Sequence, residues 1–71
     1  MTITLNGDPF TLAPGATITD LLAQLDIDPR GVAVERNFVV VKRDRYGDTP
    51  IAEGDQIEIV NFVGGGSGGI G

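Results

Sequence analysis

The 71-residue chain contains no cysteine and no histidine. Those absences exclude disulfide staples, thiolate nucleophiles, Fe–S clusters held by cysteine and the usual zinc ligand sets. Basic residues are scarce as well: five Lys and Arg stand against ten Asp and Glu, for a net charge of −5. That balance argues against binding nucleic acid or an anionic membrane surface, which both select a basic footprint, and favours a partner with a basic docking face. No apolar run is long enough to span a bilayer, and the opening "MTITLNGDPF" lacks the basic-then-apolar pattern of a signal peptide, so a cytoplasmic location is expected. A single domain of this size buries only about 60% of the surface its unfolded chain exposes. Such a domain has no room for an enclosed active site, which argues against an unaided catalyst.

What is present follows local rules. Ile3 and Leu5 alternate with Thr2, Thr4 and Asn6, the period of a half-buried strand, and Asn6-Gly7 signals a tight turn into a second strand carrying Phe10 and Leu12. Pro9 falls at the start of that strand, where a missing N–H does no harm. In "TITDLLAQL" the period changes: Ile18, Leu21, Leu22 and Leu25 fall on one helical face, with Thr17 as N-cap and Asp20 completing a variant of the capping box. Pro29 stops the helix no later than Asp28. Two β-rich runs follow, Val32 to Arg36 and Phe38 to Lys42, separated by Asn37 alone. "RDRYGDTPIAEGD" reads as a polar connection holding at most a short helical turn, and "QIEIVNF" as the last strand. The order predicts an α+β fold in two layers, a mixed sheet of four or five strands on one helix, with the helix stripe supplying about half the core.

Glycine is the residue in excess. Six of the eleven glycines lie between Gly64 and Gly71, directly after the last strand. Alone, that Gly/Ser-rich stretch reads as a linker. Its context adds more. "ITLNG", "TITDLL", "VAVERN" followed by "VVVKR", "EGDQIEIV" and "FVGGG" each resemble, in order, the pieces of the ThiS family, the sulfur carriers of thiamine biosynthesis with a β-grasp or ubiquitin-like fold. The resemblance runs from Thr2 to Gly66 and implies a β-grasp domain over residues 1–63 and a flexible arm over 64–71. It further implies that a C-terminal glycine carboxylate is adenylated with ATP by an activating enzyme, takes sulfur from a donor protein, and delivers it as a thiocarboxylate to thiazole synthase. The carrier would bind no cofactor, catalyse nothing itself and be a monomer when free. Glycine suits the arm because a backbone without Cβ can thread a narrow channel in whatever conformation that channel imposes.

Residue by residue, Gly65 and Gly66 match the family's terminal pair, Gly64 belongs to the arm, and Gly66 would bear the thiocarboxylate. Most family members stop there, whereas this chain continues through Ser67 and Ile70 to Gly71. Three explanations stand: a peptidase cuts after Gly66, Gly71 is itself used, or the last residues come from a fusion or a truncated longer chain. An amide at Gly66 is a poor target for adenylation and Ile70 puts a β-branched side chain beside Gly71, which favours the first or third. The small subunit of molybdopterin synthase, and a modifier or binding domain with the tail as linker, are the rival functions.

Val60 and Phe62 fall on the face opposite Ile57 and Ile59, either as a docking surface or as part of a core that closes over both faces. Arg36, Lys42, Arg43 and Arg45 cluster in sequence, but Glu35, Asp44 and Asp48 among them read as a solvated hairpin and loop. Asp44, Asp48, Glu53 and Asp55 do not follow EF-hand spacing, and no metal is assigned.

Overall fold

The computed structural model describes residues 1–62. Strand β1 (Thr2–Leu5) returns as β2 (Asp8–Thr11) through Asn6 and Gly7, at φ 48° and 87°. Positive φ at both central residues is the type I′ turn, whose twist matches that of the strands it joins. Helix α1 (Ile18–Gln24) follows, and its capping box is formed in both directions: Thr17 N–H donates to Asp20 Oδ2 at 2.9 Å and Asp20 N–H to Thr17 Oγ1 at 3.2 Å. The helix ends well before the limit set by Pro29. Asp26 takes φ 58°, its N–H donates to the Ala23 carbonyl at 3.1 Å, and Ile27 N–H reaches back to the Leu22 carbonyl at 2.9 Å. That is a Schellman motif with aspartate where glycine is usual, and Ile27 packs against the core beside it. A 3₁₀ turn at Pro29–Gly31 leads on to the second half of the chain, capped by Asp28, whose carboxyl is held at about 2 chiefly by the Arg30 side chain.

Strands β3 (Val32–Arg36) and β4 (Val39–Val41) form the second hairpin. Its turn holds two residues rather than Asn37 alone. Phe38, assigned to a strand by composition, lies in the turn at φ 69°, next to Asn37 at 52°. This is the same turn type as Asn6-Gly7 with phenylalanine in the glycine position, and the ring is 76% exposed. A left-handed conformation costs a residue with Cβ about 1–2 kcal/mol, and glycine's extra freedom when unfolded returns about half of that. Phe38→Gly is therefore expected to raise the melting temperature by about 3–5 °C. A fall on thermal denaturation would show that the ring packs against something the turn geometry does not reveal.

The connection after β4 departs most from expectation. Arg43–Asp48 forms a six-residue 3₁₀ helix, longer than a single turn, and the segment delivers Tyr46 and Ile51 to the core. The last strand, β5 (Gln56–Asn61), enters the middle of a five-stranded sheet of order β2-β1-β5-β3-β4, parallel to β1 and antiparallel to β3. Pro9 thus sits on an edge strand. The helix contributes Ile18, Leu21 and Leu22 to the fully buried set, fewer than the half expected of it. Ile3, Val32, Val34 and Ile57 come from the sheet, and Leu12, Ala16, Tyr46 and Ile51 from connecting segments.

Candidate functional site

Alternation along β5 sends Ile57 and Ile59 toward the helix and Glu58, Val60 and Phe62 to the other face. The pairing fixes their neighbours: Val60 lies opposite Ala33, Glu58 opposite Glu35, and Glu35 in turn opposite Val40. Val60 and Phe62 are 54% and 57% exposed, so among the described residues no second layer covers this face near the end of β5. The Phe62 backbone is nonetheless fixed, because its N–H donates to the Gly31 carbonyl at 2.9 Å and carries the ladder one step past the strand.

The face therefore presents Val60, Phe62, Ala33 and Val40 around two glutamates that stand directly across from one another. Like charges in that position destabilise a sheet, and apolar side chains gain nothing from facing water. The outward aim of Val60 and Phe62 follows from alternation within one strand. Ala33, Val40 and the Glu35–Glu58 pair join them only through cross-strand register, which no pattern within one strand announces.

The arm Gly64, Gly65 and Gly66, and the terminal Gly71, lie outside the described residues. The described residues end just past the central strand, at Phe62.

The fold separates Arg36 from the rest of the sequence's basic cluster. Arg36 ends β3 at the pole opposite Phe62, where its Nε donates to Asp55 Oδ2 at 2.7 Å, while Lys42 and Arg43 follow β4 at the other end. Asp55 is 7% exposed and also accepts from Asn37 Nδ2 at 3.0 Å and from Ala52 N–H at 2.8 Å. Burial alone would push its carboxyl up. The hydrogen bonds from Ala52, Arg36 and Asn37, with the Arg36 charge, more than offset this and hold it below the ordinary value. Asp55 is thus a structural anion that ties the β3–β4 turn to the start of β5. Among the described residues, no group of three acids is placed to hold a metal ion, and no helix is long and apolar enough to cross a membrane.

A sequence model of the ThiS family matches residues 3–66. The sulfur carrier protein ThiS of Bacillus subtilis is 46% identical over 50 residues, covering 70% of this chain and 76% of that protein. A thiazole synthase of Magnetococcus marinus is 50% identical over 66 residues, covering 93% of this chain, which spans only 20% of that longer protein. The crystal structure of the thiamine biosynthesis protein ThiS from Geobacter metallireducens superposes with a TM-score of 0.81 at 36% identity, covering 93% of this chain and all of that one. Helix, mixed sheet and strand order are those of the ubiquitin-like β-grasp, and with the family pattern running from β1 into the glycine-rich segment, this chain belongs to the ThiS family.

Proposed function

We propose that this chain is a sulfur carrier of thiamine biosynthesis, a protein co-substrate whose reactive group is a C-terminal glycine carboxylate. The observation that carries this reading is the central strand β5, which passes through an exposed apolar face at Val60 and Phe62 and continues into the family's glycine-rich segment. In the reaction proposed, a carboxylate oxygen attacks the α-phosphorus of ATP on an activating enzyme and pyrophosphate leaves. A sulfide-level donor then attacks the acyl carbon of the adenylate and expels AMP, giving the thiocarboxylate. Thiazole synthase is the acceptor, a role supported by the synthases in which a segment similar to this chain is part of one longer polypeptide. The outer face of the sheet would dock these enzymes, with Phe62 and Val60 filling an apolar depression and Glu35 and Glu58 meeting basic groups.

The test is to incubate the full chain and a version ending at Gly66 with the activating enzyme, ATP and sulfide, and to weigh the products. Replacement of one oxygen by sulfur on the Gly66-ending chain is expected. Sulfur on Gly71 of the full chain would move the reactive group, and no product from either would refute the carrier reading. Phe62→Ser is expected to cut conversion at least about tenfold while changing stability by no more than about 0.5 kcal/mol, as an exposed side chain should. A large loss of stability would return Phe62 to the core.

A further inference from the structure

Strand β1 is too short to accompany β5 to its end. Their pairing stops at Leu5 opposite Ile57, because the chain turns away at Asn6 and Gly7 to form β2 on the far side of β1. From Ile59 onward, β5 has no strand beside it on that edge among the described residues. Asn6 fills the next step. Its backbone N–H donates to the Ile57 carbonyl at 2.9 Å, its side-chain Oδ1 accepts from Ile59 N–H at 2.8 Å, and its Nδ2 donates to the Ile59 carbonyl at 3.3 Å. A primary amide offers the same donor and acceptor as a peptide group, so the side chain stands in for the residue that a longer β1 would have supplied. On the opposite edge, Gly31 holds Phe62. The end of β5 is therefore clamped, with β3 and Gly31 on one side and an asparagine side chain on the other.

The turn itself does not require asparagine. Glycine and aspartate adopt the same positive φ at the first central position of a type I′ turn, but glycine has no side chain and aspartate has no donor for the Ile59 carbonyl. We infer that Asn6 is a positioning residue for the carrier reaction: it holds β5 at Ile59, so that Val60 and Phe62 meet the activating enzyme already in place. This rests on the sulfur-carrier reading. Its physical content is that the ordering of Val60 to Phe62 is completed before binding, and a clamp lost is a cost moved into the binding step.

The experiment compares wild type, Asn6→Gly and Asn6→Asp, each well below its melting temperature, by steady-state conversion with the activating enzyme, ATP and sulfide and by amide exchange at Ile59. Asn6→Gly keeps the turn, and is expected to raise KM for the carrier about fivefold, the size of one or two net hydrogen bonds, with kcat within about twofold. Ile59 amide exchange should quicken by a similar factor. Asn6→Asp keeps the acceptor and is expected to fall between the two. A merely structural asparagine would speed exchange and leave KM unchanged, which would overturn the inference, as would unchanged Ile59 exchange in Asn6→Gly. If wild type is not converted at all, it is the sulfur-carrier reading that fails, and the positioning role goes with it.

Discussion

Leu21→Ala is expected to lower the urea midpoint of unfolding by about 3 M. Leu21 is fully buried in α1, in the same cluster as Ile3, Val34 and Ile57 of the sheet. Truncating a buried leucine removes its transfer free energy and leaves a cavity that a sheet on one side and a capped helix on the other cannot fully close, at a cost of about 3–4 kcal/mol. A domain of this length holds roughly 4–10 kcal/mol in all, and small proteins respond to urea at about 1 kcal/mol per molar. The substitution therefore removes a third or more of the fold's stability, although alanine favours helix slightly over leucine. The measurement is a urea titration followed by far-ultraviolet circular dichroism. A midpoint moved by less than about 0.5 M would mean that α1 is not seated on the sheet through this residue.

Asp55→Ala should rank next, at about 2–3 kcal/mol. It strips the acceptor from three donors at once: Arg36 Nε, Asn37 Nδ2 and Ala52 N–H. Removing one member of a fully buried ion pair costs about 3–5 kcal/mol, but the Arg36 side chain is 36% exposed and can turn to water, which lowers the figure. The same carboxylate makes stability depend on pH. Its folded pKa lies below the usual aspartate value of 3.8, so its contribution is present in full above that value and is lost as pH falls through the lower, folded one. Between pH 5 and pH 2 the wild type should lose more stability than Asp55→Ala, a difference readable from melting temperatures taken at each pH. Parallel curves would show that the carboxylate contributes nothing specific to folding.

Much of this was legible because it rests on neighbours in sequence. The Thr17–Asp20 cap, the Asn6-Gly7 turn, the Leu21 stripe and the outward aim of Val60 and Phe62 each follow from a spacing of a few residues. Tyr46 and Ile51 did not announce themselves, since each stands alone in a polar connection with no period to place it. Phe38 misled for a physical reason: composition favours it in a strand, yet two residues are needed to turn the hairpin and it is the second. The helix stop was hidden because aspartate took the left-handed position that glycine usually marks. The bond from Asn6 to Ile59 spans 53 positions, so no local pattern could give the asparagine its second task. The outer face was half visible, one strand's share from alternation and the rest only once β3 and β4 were laid beside it.

The position of β5 has a consequence in time. It is the last strand of the sheet to leave the ribosome and the one that belongs at the centre, between β1 and β3. Until it arrives, the two earlier hairpins have no sheet in common, and β1 and β3 each present a bare edge of N–H and C=O groups to whatever other chain is near. Folding of this domain must therefore wait for β5 and then finish in one step, with its loops closed by that central strand. A nascent chain halted before Gln56 should be open to proteases throughout, while one extended far enough to free Phe62 should become resistant at once.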